Sequence, residues 1–163
     1  MRRRRSSSPS GSQIAVFFLT AIVLAAGSRL TTAFAQGGAH INGAAISKVG
    51  RDTRKLTVSA QAAAGSTTAT GTVQFIHNSP AGLSRFRGTI TCLSVSGGVA
   101  QISGSIEKGE TATGALLDGK AYAFTITSQS FSLPTVGESG AVGPCSGGAA
   151  QTVPVTEEGI KLQ

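Results

Sequence analysis

The chain has 163 residues, with 14 Lys+Arg against 7 Asp+Glu, 2 Cys and no Trp, a length that holds one ordinary domain and not several. Its formal charge of +7 is unevenly placed: Arg2, Arg3, Arg4, Arg5 and Arg29 precede residue 36 and every acid follows it. Beyond that point the balance is only about +2, ordinary for a small domain and no footprint of nucleic-acid binding.

Arg2 to Arg5 form a basic head, Ile14 to Gly27 an apolar run, and Ala33-Phe34-Ala35 a small-residue step. These are the three parts of a secretory signal peptide, and cleavage is expected between Ala35 and Gln36. The apolar run falls short of the about 20 residues that a spanning helix needs. No stable membrane span is therefore expected after cleavage, and an uncleaved anchor is the alternative. Ser6-Ser7-Ser8-Pro9 lacks the hydrophobic residue of a twin-arginine signal, and no Cys follows the run for lipid attachment. The expected organisation is a signal over 1–35 and one domain over 36–163, secreted to the exterior or held in the cell envelope.

In chain order, Ala39–Ile46 reads as a first, edge strand. Lys55–Ala62 alternates with Leu56, Val58 and Ala60 on one side, the period of a half-buried strand. Thr70–His77 repeats this with Val73 and Phe75, and the Asn78–Gly82 stretch breaks it. In Arg85–Ile106, Phe86, Gly88, Ile90 and Cys92 are expected on one face, with Leu93 and Val95 out of phase. That slip means either a bulge or a strand apolar on both sides. Gly97-Gly98 marks a hairpin turn, and Ala100, Ile102, Gly104 and Ile106 form the returning face. Asp118-Gly119 predicts a second hairpin, with Thr113–Leu117 leading in and Lys120–Thr127 leading out. Ser130–Leu133 predicts a short strand, Thr135–Ala149 a long loop, and Gly159–Gln163 a closing strand. No segment after residue 35 has helical periodicity. The fold expected is all-β, a single antiparallel β-sandwich or β-barrel-like domain, with Phe75, Phe86, Phe124 and Phe131 in the core.

Cys92 and Cys145 are a disulfide candidate in an exported chain, the alternative being two free thiols. The segment Gly88–Gly97 (GTITCLSVSG) with Val99–Gly104 (VAQISG) resembles a hairpin, G-x-[IV]-x-C-L-x-V-x-G followed by A-x-[IV]-x-G, of an uncharacterised family of small exported bacterial domains. Gly159–Gln163 loosely matches that family's closing strand. The resemblance implies an all-β extracellular domain and no particular activity.

Chemistry-bearing patterns are few. Gly114–Ala121 matches a phosphate loop except that Ala121 replaces the final hydroxyl, and AYAFTIT after it reads as strand where a helix is needed. Gly143-Pro144-Cys145-Ser146-Gly147 has the spacing of a nucleophile elbow, but His40 and His77 both precede it. Neither histidine sits at a metal-ligand spacing. Glu107 with Glu110 and Glu157 with Glu158 are read as solvated carboxylates beside turns. Arg51, Arg54 and Lys55, interrupted by Asp52, are read as a solvated strand entrance and not a polyanion site. No catalytic, cofactor or metal residues are assigned. The expectation is a non-enzymatic domain acting by binding or as a structural part, its partner a cell-envelope component or another copy of itself. An extracellular hydrolase using Cys145 or His77 is the alternative.

Overall fold

The computed structural model describes residues 37–147 and 151–163. The expected signal segment and the expected cleavage site at Ala35 and Gln36 lie outside the described residues.

The ten strands are β1 (His40–Val49), β2 (Asp52–Ala62), β3 (Thr68–Ser79), β4 (Gly82–Ser96), β5 (Val99–Glu110), β6 (Ala121–Thr127), β7 (Ser130–Ser132), β8 (Thr135–Gly137), β9 (Thr152–Pro154) and β10 (Glu157–Leu162). They form one antiparallel sheet in the order β10-β1-β2-β3-β4-β5-β6-β7-β9, with β8 on β6. The fold is all-β, a single sheet curled into a half-barrel and not a sandwich. The alternation read from sequence sets the inner face: Leu56, Val58, Ala60 and Ala62 of β2 are buried, and the residues between them are exposed. Val73, Phe75, Phe86, Ile90, Ile102, Ile106, Tyr122, Phe124 and Ile126 extend that face across β3 to β6. Four aromatic rings sit at its centre, Phe75, Phe86, Tyr122 and Phe124, with neighbouring centroids 5.4 to 6.0 Å apart. Each such contact adds about 0.5–1.5 kcal/mol beyond area burial.

The curl has identifiable causes. Three register shifts insert extra residues in β3, β4 and β5, and bulges bend and twist a strand. Gly104 lies under Tyr122, whose hydroxyl crosses it to donate to the Thr89 carbonyl at 2.8 Å. A Cβ on Gly104 would stand 1.9 Å from that carbonyl oxygen, so glycine permits the sheet to fold over itself here. The chain also draws the sheet's two edges together. Only Val155 and Thr156 separate β9, on one edge, from β10, on the other, a span of at most about 11 Å. Val155 N–H donates to Gln129 beside β7, and Thr156 N–H donates to Ile46 of β1.

Several expectations are corrected. β1 runs on to Val49 and is not an edge strand, because β10 pairs on its far side. Two residues, Ile90 and Cys92, face Gly104 and Ser103 in consecutive register, so Thr91 is the extra residue of a bulge. The bulge turns Cys92 to the outer face with Ser103 and leaves Leu93 inside with Ile102. The Gly97-Gly98 hairpin forms, both glycines at positive φ (58° and 77°). Asp118-Gly119 also turns, closed by Lys120 N–H to the Leu117 carbonyl, but its arms do not pair with each other. Residues 111–120 instead connect β5 to β6, touching β5 through the Glu110–Leu116 bridge. Asp118 Oδ1 accepts the Gly109 N–H there, at 2.8 Å. The segment read as one long loop holds β8, and β9 follows it unforeseen. Three-residue strands carry too little alternation to be seen in sequence.

Candidate functional site

Cys145 is bonded to Cys92. Its backbone N–H donates to Ser103 Oγ at 2.9 Å. The 138–147 loop is thus held on the outer face over Cys92, Ser103 and Ala123, all buried yet outside the main core. A bonded sulfur offers no thiolate for attack. The structure also keeps Cys145 and His77 apart. Thr68 pairs with Cys92 at one end of β3, while His77 lies roughly 25–30 Å further along the strand at about 3.3 Å per residue. The phosphate-loop-like stretch is the 111–120 connection, followed by strand β6. His40 pairs with Gln61 near the other end of the sheet. Among the described residues no group of 3 or more His, Cys, Asp or Glu is placed to hold a metal ion.

The basic residues read as a solvated cluster divide. Arg51 and Lys55 are exposed, but Arg54 is buried on the inner face with Leu56 and Val58. Arg54 Nη2 donates to Asp52 Oδ2 at 2.6 Å, and His77 Nε2 faces the same oxygen at 3.6 Å. Ser47, Arg54, His77 and Ser84 form one rung across β1 to β4. Ser47 Oγ, Arg54 Nε and His77 Nε2 are the buried side-chain polar atoms without a hydrogen-bond partner among the described residues, and all three belong to this rung. Ser84 Oγ accepts the Ala112 N–H at 2.9 Å. The rung closes the end of the core beside the Ala45–Leu56–Phe75–Phe86 layer. It is the one place where the alternating apolar face of β2 becomes ionic.

The outer face of β2 to β5 holds the other polar constellation. One rung reads Thr57–Gln74–Arg87–Lys108, and the next reads Lys55–Ile76–Arg85–Glu110. Arg85 is paired with Glu110 at 2.9 Å, whereas Lys55, Arg87 and Lys108 make no ion pair among the described residues. Arg87 and Lys108 are direct cross-strand neighbours of like charge, an arrangement that costs stability unless an anion lies over it. The extra residue in β5 sets this register: with Gly88 opposite Ile106, an unbulged strand would place Glu107 opposite Arg87, and the bulge places Lys108 there instead. Gln74, Arg85, Arg87, Lys108 and Leu116, with the carboxylates Glu110 and Asp118, line a groove of about 380 Å³ over these rungs. Glu107 therefore lies within β5, while Glu110 is its last residue, beside the turn at 112–113. Sequence reading missed this face because Arg85, Arg87 and Lys108 are brought together only by register. The signal in the sequence is the exposed phase of Arg85 and Arg87 around the core residue Phe86. No family model, curated protein or solved structure matches the chain.

Proposed function

We propose that residues 36–163 are an exported, non-enzymatic binding domain whose outer basic face takes an anionic component of the cell envelope. The observation that carries this reading is the Arg87–Lys108 rung, two neighbouring cations that make no ion pair among the described residues, beside a groove. An anion laid across them removes their mutual repulsion and gains charge-assisted hydrogen bonds from Arg87. The disulfide fits an oxidising compartment, and the segment before Gln36 has the composition of an export signal. The resemblance of the Gly88–Gly104 hairpin to exported bacterial domains agrees with the same compartment. Against the alternative of a hydrolase using Cys145 or His77 stand the bonding of Cys145, which leaves that sulfur no thiolate, and its distance from His77.

The test is retention of the exported protein on immobilised polyphosphate and polygalacturonate at about 0.05 M and about 0.3 M salt, since screening weakens contacts between exposed charges. Binding that falls with salt, and falls about tenfold in Arg87→Ala/Lys108→Ala, is expected; about 1.4 kcal/mol, the combined worth of two exposed charges, corresponds to that factor. Binding that ignores both salt and the double substitution refutes the reading. Intact mass of the exported protein, before and after reduction and alkylation, tests the Gln36 start and the sulfur bridge together.

A further inference from the structure

Antiparallel strand order places three connections at one end of the sheet: the β1–β2 turn, the β3–β4 turn and the 111–120 segment. Each has one large exposed aliphatic side chain in it or at the strand end beside it. Val49 is 49% exposed, Leu83 43% and Leu116 71%, and these are the exposed large hydrophobics among the described residues. Single exposed aliphatic residues are ordinary, but three at one end, one in or beside each connection, form a pattern. The start of β4, which carries Leu83, and the 111–120 segment, which carries Leu116, support each other, with Ala112 N–H donating to Ser84 Oγ at 2.9 Å. Leu83 lies two residues from Arg85 on the same face of β4, and Leu116 bridges to Glu110, the partner of Arg85. Leu116 also lines the groove that holds Arg87 and Lys108. Leu83, Leu116 and the cations without ion pairs among the described residues are therefore parts of one surface, while Val49, in step with the inward Ser47 of β1, stands at the same end of the sheet.

We propose that this end of the half-barrel docks on an anionic lipid bilayer. Leu83 and Leu116 enter the upper acyl layer, and Lys55, Arg87, Lys108 and the turn residue Arg51 take the lipid phosphates. This rests on the preceding reading of the basic rungs as an anion-binding face and names the source of the anion. A soluble polyanion satisfies the cations but gives the leucines nothing apolar to enter. A second copy of the chain, packed through the same patch, sets the cations of each copy against those of the other. A bilayer with anionic headgroups satisfies both chemistries, and peripheral binding grows with apolar insertion and with cationic attraction together. Each cation near such a surface contributes about fivefold to partitioning.

The experiment measures co-sedimentation of the exported protein with vesicles of phosphatidylglycerol in phosphatidylcholine, with pure phosphatidylcholine vesicles, and with soluble polyphosphate as competitor and as ligand. The proposal expects partition onto the phosphatidylglycerol vesicles and none onto phosphatidylcholine alone. Leu83→Ser/Leu116→Ser should lose about tenfold of that partition while binding polyphosphate unchanged, whereas Arg87→Ala/Lys108→Ala should weaken both. The chain has no Trp, so Leu116→Trp supplies a single reporter, with a blue shift expected on the anionic vesicles. Vesicle binding that is untouched by the leucine substitutions overturns the proposal. So does binding to polyphosphate without binding to vesicles, which leaves the polyanion reading standing. Failure to bind either ligand removes both readings.

Discussion

Removing the Cys92–Cys145 bridge tests how the outer loop contributes to stability. The two cysteines are separated by 53 positions. Cross-linking a loop of that length removes enough unfolded-chain entropy to stabilise the fold by about 4 kcal/mol. A domain of about 127 residues unfolds with an entropy near 0.27 kcal/mol/K, so that loss lowers Tm by about 15 °C. The bridge joins β4 to the loop over Ser103 and Ala123, outside the aromatic core. The inner face thus keeps its contacts, and Cys92→Ala/Cys145→Ala should remain folded at room temperature with an unchanged strand spectrum. Thermal unfolding followed by far-ultraviolet circular dichroism checks both points, and the parent protein in reductant should match the double variant. A Tm drop below about 5 °C refutes the entropic argument. Loss of the strand spectrum at room temperature refutes the claim that the loop lies outside the core.

Three further outcomes follow from the core. Burial, and secondarily the charge of Glu107, push the Tyr122 phenol above its ordinary value. The folded state therefore holds this proton after the unfolded chain releases it. Stability should be intact below about pH 10 and then fall by up to about 1.4 kcal/mol per pH unit. Tyr122→Phe should flatten that slope in urea titrations, and because the chain has 1 Tyr an ultraviolet titration reads the group alone. Gly104→Ala puts a methyl group 1.9 Å from the Thr89 carbonyl oxygen and should cost about 3 kcal/mol by urea unfolding. Asp52→Ala leaves the buried Arg54 guanidinium without its carboxylate and should cost about 2 kcal/mol, of which Asp52→Ala/Arg54→Leu recovers at least half in the same assay.

The amino-acid sequence by itself determined the strand class and most of the inner face. Period-two alternation in β2 and in β3 from Val73 to Phe75 names buried residues directly, because each side chain's face depends only on its parity along its own strand. The Gly97-Gly98 turn was legible for the same local reason. The slip between Ile90 and Leu93 announced a bulge or a two-sided strand, and register chose the bulge and with it the outward turn of Cys92. Arg54 shows the limit of local reading. Its charge argued for solvent, while its parity with Leu56 and Val58 placed it inside, and the Asp52 carboxylate resolved the conflict by pairing with it. What tertiary structure alone decided is everything that depends on which strand lies beside which. The Arg87–Lys108 rung, the one-rung gathering of Ser47, Arg54 and His77, and the three aliphatic tips at one end all join residues far apart in sequence. No single segment encodes such a neighbourhood, because it arises only when hydrogen-bond register and the curl of the sheet set one strand against the next.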